Sequence, residues 1–184
     1  MAQTDKKEPR NRITAYGGYV ASLQRLAIEP RTAMKWQERT HAALNGEASA
    51  ELRRLVSLKT RRRFGAFFTG SELAAKFITH CPKLGASDVI HDASLGVGDL
   101  LLAAASRLPL RRSVNDTLRQ WGQQLTGTDL HSEFVHGAKA RLVLLARQRH
   151  GLKGSGVSST AGLFPGIRVA DGLTQFAAYE RATH

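Results

Sequence analysis

Three aspartates, Asp92, Asp129 and Asp171, each follow a short run of strand-like residues and stand just before a turn or a helix. In an open parallel sheet, ligands bind beyond the carboxyl ends of the strands, where the loops into the helices gather. A carboxylate at the end of the second strand is placed to accept hydrogen bonds from both hydroxyls of a ribose. One at the end of the third is placed for an adenine amino group. The first aspartate opens the loop Asp92-Ala-Ser-Leu-Gly96-Val-Gly98-Asp99, in which Gly96 and Gly98 permit a tight turn and a close approach of ligand to backbone.

This glycine pair does not have the form of a dinucleotide loop. Leu101 stands where a third small residue is needed, and Asp129 follows Gly98 by 129 − 98 = 31 residues, against about 20 in the usual dinucleotide unit. No Gly-x-x-x-x-Gly-Lys-Ser/Thr phosphate loop occurs anywhere in the chain, which argues against ATP or GTP. With an acidic residue in place of the third glycine, the loop suits a cationic ligand without a pyrophosphate. S-adenosyl-L-methionine fits, having a positive amino group and sulfonium as well as a ribose and an adenine.

The elements that must carry these residues follow from periodicity. From Thr14 to Thr60 the pattern is helical, with Tyr19, Leu23, Leu26 and Ala27 at three- and four-residue spacing. Pro30 suits the first turn of a second helix carrying Ala33, Trp36, Thr40, Ala43 and Leu44, which stops near Asn45-Gly46. A third helix starts near Ser49 and gathers Leu52, Leu55, Val56 and Leu58 on one side, opposite Arg53, Arg54 and Lys59. Ser71 to Ile78 reads as a helix capped by Ser71 or Thr69. Asp88–His91 is a short strand, Gly98–Leu108 an apolar helix closed by Pro109, and Leu125–Asp129 a second strand. A helix from Ser132 to about His150 follows, then a Gly/Ser-rich connection from Gly151 to Gly166 and a third strand at Ile167–Ala170. Alternating strands and helices predict a parallel α/β sheet. The expected organisation is a basic helical region over residues 1–62 and a partial ligand-binding α/β domain over 63–184.

Composition narrows the class. The 184 residues include 27 Lys plus Arg against 15 Asp plus Glu, a formal net charge of +12, which favours a polyanionic partner such as DNA. Arg61, Arg62 and Arg63 concentrate that charge. No apolar run approaches the length of a membrane span and the first residues lack the apolar core of a signal peptide, so a soluble, cytoplasmic protein is expected. The single cysteine, Cys81, excludes an internal disulfide. His131 and His136 lie five apart on different helix faces, a poor arrangement for a shared metal.

Four segments, taken in order, resemble the amino-methylating DNA methyltransferases, as in type I modification subunits and related type II enzymes. Arg63-Phe-Gly65-Ala-Phe67-Phe68-Thr69 is similar to their Gly-x-Phe/Tyr-Phe/Tyr-Thr motif, and Asp92-Ala-Ser-Leu-Gly96-Val-Gly98 to their Asp-Pro-x-x-Gly-x-Gly loop. Leu125-Thr-Gly127-Thr-Asp129-Leu130 resembles the ribose-binding segment, and Ile167-Arg-Val-Ala-Asp171-Gly-Leu173 the adenine-contacting one. Ala93 replaces the usual proline, and Leu95 stands where a small residue is common.

The resemblance implies a Rossmann-like S-adenosylmethionine-dependent fold, an incomplete parallel sheet flanked by helices. It implies that Phe68 and Thr69 hold the methionine end of the cofactor, that Asp92, Gly96 and Gly98 shape the loop around it, that Asp129 binds the ribose, and that Asp171 and Leu130 meet the adenine. It also makes Arg61–Arg63 candidates for DNA contact. The family orients the target amine with an Asn/Asp-Pro-Pro-Tyr/Phe loop, and no Pro-Pro pair occurs here. The chain alone is therefore expected to be inactive, with catalysis relying on a second chain or a carboxyl-terminal half. The alternative is a non-catalytic DNA- or partner-binding module on the same fold.

Overall fold

A computed structural model describes residues 13–31, 35–85, 87–151, 157–160 and 162–174. The chain is α/β and mostly helical, built around a small three-stranded parallel sheet in the order β1-β2-β3. The strands are β1 (Ile90–Asp92), β2 (Leu125–Asp129) and β3 (Ile167–Val169). In the register Asp92 faces Gly127 and Asp129 faces Val169, so the carboxyl ends of the strands lie side by side. The first strand begins two residues later than the apolar run Asp88–His91 indicates. Val89 is 64% exposed and lies outside it.

Before the sheet come a 3₁₀ turn (Ile13–Tyr16) and helices α1 (Gly17–Ile28), α2 (Trp36–Leu44), α3 (Glu47–Leu55), α4 (Leu58–Arg63) and α5 (Ser71–Thr79). Pro30 lies between α1 and α2 and opens neither, and Ala33 falls outside the described residues. The third predicted helix divides in two. Val56 is extended (φ −121°, ψ 120°), and the Ser57 hydroxyl accepts from Thr60 N–H to start α4, so Leu58 and Lys59 belong to a separate short helix. Before α5 neither Thr69 nor Ser71 is the cap. Gly70 takes that place, with its N–H donated to the Asp99 carboxylate at 2.8 Å.

Between and after the strands lie α6 (Asp99–Arg107), α7 (Val114–Gln124) and α8 (Ser132–Arg149). Helix α7 is absent from the periodicity reading, although its start carries a local signature. The Ser113 hydroxyl accepts from Asp116 N–H and donates to the Asp116 carboxylate, which satisfies a donor at the helix entrance.

Helix α8 is the central element, buried on almost every side from Phe134 to Arg147. Leu23, Leu26 and Ala27 of α1, Trp36 and Ala43 of α2, Leu101 and Leu102 of α6 and Leu125 of β2 join its apolar residues in one continuous core. The amino-terminal helices thus share a core with the sheet. Among the described residues no helix is long and apolar enough to cross a membrane.

Three arginines of α8, Arg141 and Arg147 buried and Arg149 half-buried, each close the carboxyl end of another helix. Arg141 donates to the Ala43 and Leu44 carbonyls at the end of α2, to Val97 O and, at 2.8 Å, to Asp99. Arg147 donates to Leu26, Ala27 and Glu29 carbonyls at the end of α1. Arg149 donates to Ala105 and Leu108 carbonyls at the end of α6. The last carbonyls of a helix have no intrahelical partner and carry its negative dipole end, so a guanidinium there satisfies both. Arg107 does the same for α5 through the Ile78 and Cys81 carbonyls. Part of the basic excess is therefore internal scaffolding and unavailable to an outside polyanion.

Candidate functional site

The loop between β1 and α6 is held by bonds to the neighbouring strand. Leu95 N–H donates to Thr128 O at 2.9 Å, Gly98 N–H to Leu95 O at 2.8 Å, and the Thr128 hydroxyl to Ala93 O at 3.1 Å. Gly96 (φ +51°) and Gly98 (φ +82°) adopt the left-handed region that favours glycine. A Cβ on Gly98 would stand 3.0 Å from that of Ala138, so this glycine also lets α8 pack against the loop. Farther along, a Cβ on Gly172 would clash with the Ala93 carbonyl, which marks how closely the segment after β3 crosses the one after β1.

Two adjoining depressions open at the carboxyl ends of the strands. The larger, a cleft of about 310 Å³, is lined by Ala93, Ser94, Asp129, Leu130, Asp171 and Leu173. Phe64, Gly65, His131 and Phe134 close its opposite wall. The smaller, about 20 Å³, brings Phe68 and Thr69 against Asp92, Ser94, Gly96 and Asp99. Ser94 borders both. Of the residues singled out by sequence, Asp129, Leu130 and Asp171 thus meet in one depression, and Phe68, Thr69, Asp92 and Gly96 in the other. Gly98 lines neither and acts through the loop. Arg61–Arg63 lie on α4, whose end leads directly into Phe64 and Gly65 at the cleft wall.

The carboxylates differ in what they already hold. Asp129 uses both oxygens, accepting from Gly96 N–H and from His131 N–H at 2.9 Å each, so it fastens the β1–α6 loop to the start of α8. Each carboxylate oxygen has a second lone-pair direction, which keeps this group able to accept from a ligand. Asp171 is exposed and accepts from Leu173 N–H at 3.0 Å. Asp92 accepts from Ser94 N–H at 3.1 Å, and its burial raises its pKa above the ordinary carboxylate value. Asp99 is neutralised by Arg141 in an ion pair whose side chains are 6% and 1% exposed.

The ring of Phe68 does not stand free toward the cleft. It packs edge-on against Phe134 (centroids 5.0 Å apart) and near Tyr16 (6.0 Å). His131 joins this aromatic wall through Phe64 and Phe134. Leu130 is 65% exposed and Leu173 82%, so two leucines project at the cleft mouth. Sequence reasoning missed His131, Phe64 and Phe134. The signal for His131 was its place directly after Asp129-Leu130, and that for Phe134 its helical spacing with Ala138. It also missed the Asp99–Arg141 pair behind the loop.

Among the described residues the lining of both depressions contains four aspartates, of which Asp99 is already paired with Arg141, and no lysine or arginine, in a chain of net charge +12. Such a site favours cationic ligands and hydroxyl or amino donors, and disfavours phosphates. Among the described residues no group of three or more His, Cys, Asp or Glu side chains is placed to hold a metal ion. No protein-family model, no curated protein and no solved structure matches this chain.

Proposed function

We propose that the chain is the S-adenosyl-L-methionine-binding part of a DNA adenine methyltransferase. The observation that carries the reading is the acidic double depression at the carboxyl ends of three parallel strands, free of lysine and arginine among the described residues of its lining. In this assignment the larger cleft takes the nucleoside. Asp129 and Asp171 accept from its hydroxyl and amino groups, while Leu130, Leu173 and Phe64 enclose the base. The methionine end runs from that cleft toward Asp92 and Thr69, and the smaller depression, with room for about one water-sized group, takes its amino group beside the negative charge of Asp92. A pyrophosphate-bearing cofactor would meet carboxylates at every turn.

The finer fold reading belongs with this proposal. The order β1-β2-β3 is that expected of one half of a doubly wound sheet, which supports a Rossmann-like methyltransferase arrangement. DNA as the partner is supported by the residual basic surface, above all by α4. Arg62 is exposed there, and Arg61 and Arg63 stack on Phe67 and Phe64 beside the cleft, at 5.8 Å each.

When bound, S-adenosylmethionine supplies a methyl group activated by its sulfonium. The residues here bind and orient that cofactor. They do not orient the target amine, since the sequence has no Asn-Pro-Pro-Tyr loop, so in this reading a second chain or carboxyl-terminal half provides it. A second reading, a non-catalytic DNA- or partner-binding module, is favoured by exposed Leu73 and Phe77, four apart on one face of α5 and both 59% exposed.

Calorimetric titration of S-adenosylmethionine into the purified, folded chain separates the two. The expected result is saturable binding, weakened about ten- to a hundredfold by Asp129→Asn through loss of charge-assisted hydrogen bonds. A folded chain that binds no cofactor, or an Asp129→Asn variant of unchanged affinity, removes the assignment.

A further inference from the structure

A second cavity, of about 300 Å³, lies far from the acidic depressions, between Arg31, Trp36, Gln37 and His41 on one side and Arg147 and Gln148 on the other. On α8 the two places are marked by Phe134 and Arg147, 147 − 134 = 13 residues apart, about 20 Å of helix at 1.5 Å per residue. The electrostatic character is reversed here. Arg31 and Arg147 both lie over the Trp36 ring, 5.1 and 4.9 Å from its centroid, and among the described residues the lining contains no carboxylate. Glu29, whose carbonyl receives Arg147, gives its carboxylate to Arg39 instead, at 2.9 Å.

The two guanidiniums are not fully satisfied. Arg147 is 1% exposed and donates its terminal nitrogens to the end of α1, yet its Nε–H is buried without a partner among the described residues. The Nε–H of Arg31 is in the same condition, although another of its nitrogens donates to the Arg147 carbonyl. Burial lowers the proton affinity of both, and the charge of Arg31 adds to that effect on Arg147. Two cations on one indole, without a counter-charge among the described residues of the lining, are poised for an oxyanion.

We propose that this cavity binds the phosphate group of a small phosphorylated molecule. Arg147 is held rigid by α1 and supplies a fixed charge, while half-buried Arg31, stacked on Trp36 and anchored to the Arg147 carbonyl, lines the cavity beside it. Gln37 and Gln148 carry amide donors at the rim, and a volume near 300 Å³, at the lower end of small-molecule sites, leaves room for a compact substituent beyond the phosphate. The site is independent of the acidic depressions and of the function assigned to them.

The test is calorimetry with inorganic phosphate and with phenyl phosphate at constant ionic strength, on wild-type protein and three variants. Saturable binding is expected, weakened about tenfold or more by Arg31→Ala. Gln148→Glu, on an exposed position safe for folding, is expected to abolish it by placing a carboxylate in the lining. Arg53→Ala removes one exposed charge elsewhere and is expected to change nothing. Absence of saturable binding overturns the proposal, as does an equal loss in Arg53→Ala, which would make the effect one of net charge. A tetranucleotide that displaces phenyl phosphate at lower concentration overturns the small-molecule assignment in favour of a nucleic-acid phosphodiester.

Discussion

The arginines of α4 and those of α8 carry the same charge and are used in opposite ways. Arg61, Arg62 and Arg63 end a short helix with no buried residue, and Arg62 faces solvent. Arg141, Arg147 and Arg149 point into the molecule, where each meets the carbonyls that another helix leaves unpaired at its end. An exposed guanidinium keeps its hydration and is available to a phosphate. A buried one has lost water and must recover the loss from fixed acceptors. The comparison shows that a net charge of +12 is a sum over two populations, of which only one faces an outside polyanion.

The strongest way to break this comparison is Arg141→Met. It strands the Asp99 carboxylate in the core together with the last carbonyls of α2, and breaking a buried pair in this way costs about 3–5 kcal/mol. Urea denaturation reads the loss. A change below 1 kcal/mol would mean that the pair is hydrated and that α8 does not organise the fold through it.

Next in size is Arg149→Met, which removes two charge-assisted bonds to the end of α6 and the contact with Trp121 at 5.7 Å. A loss of about 1.5–3 kcal/mol is expected. Equal stability of variant and wild type would return Arg149 to the surface population.

A smaller effect concerns the acidic end of the molecule. Burial raises the pKa of Asp92 in the folded chain, so the native state binds its proton more tightly than the unfolded state does. Stability should therefore fall as pH rises from the ordinary aspartate value of about 3.9 through the raised value. Asp92→Asn removes that fall and retains an oxygen for Ser94 N–H. Wild type minus variant stability, followed by urea midpoints from acid to neutral pH, should become more negative across this window and then level off. Parallel profiles would show that Asp92 is no more protonated in the folded chain than in the unfolded one.

The smallest expected change is that of Arg62→Ala. Its stability should stay within about 0.5 kcal/mol of wild type, as for a surface substitution. DNA affinity should weaken alike for all sequences, with the slope of log affinity against log salt reduced by about 1. An unchanged slope takes α4 out of the DNA-facing population.

Helical periodicity made α1, α6 and α8 legible to within a few residues and the end but not the start of α2, which begins six residues after Pro30, and the strand–helix alternation made the three strands legible. What local pattern did not show was the break at Val56. It needs only one residue to become extended, and Ser57 then supplies a new start. Helix α7 was lost because its apolar positions are interleaved with glutamines, although the Ser113–Asp116 cap was present to be read. At the candidate site the three strand-end aspartates were legible because a carboxylate after a short apolar run has few other places to go. Their division between two depressions was not.

The sequence by itself determined the element types, the order of acid-terminated strands, the turn-forming Gly96 and Gly98, and the total charge. Each of these depends on residue identity or on neighbours within a few positions. Only the tertiary structure decided which cations are internal and which carboxylates remain open to a ligand. Arg141 finds the Ala43 carbonyl 98 residues away and Arg147 the Ala27 carbonyl 120 residues away. Asp129 receives Gly96 N–H from 33 residues away. The energy of a charged group depends on the acceptors, dielectric and solvent around it, and folding brings those together from distant parts of the chain.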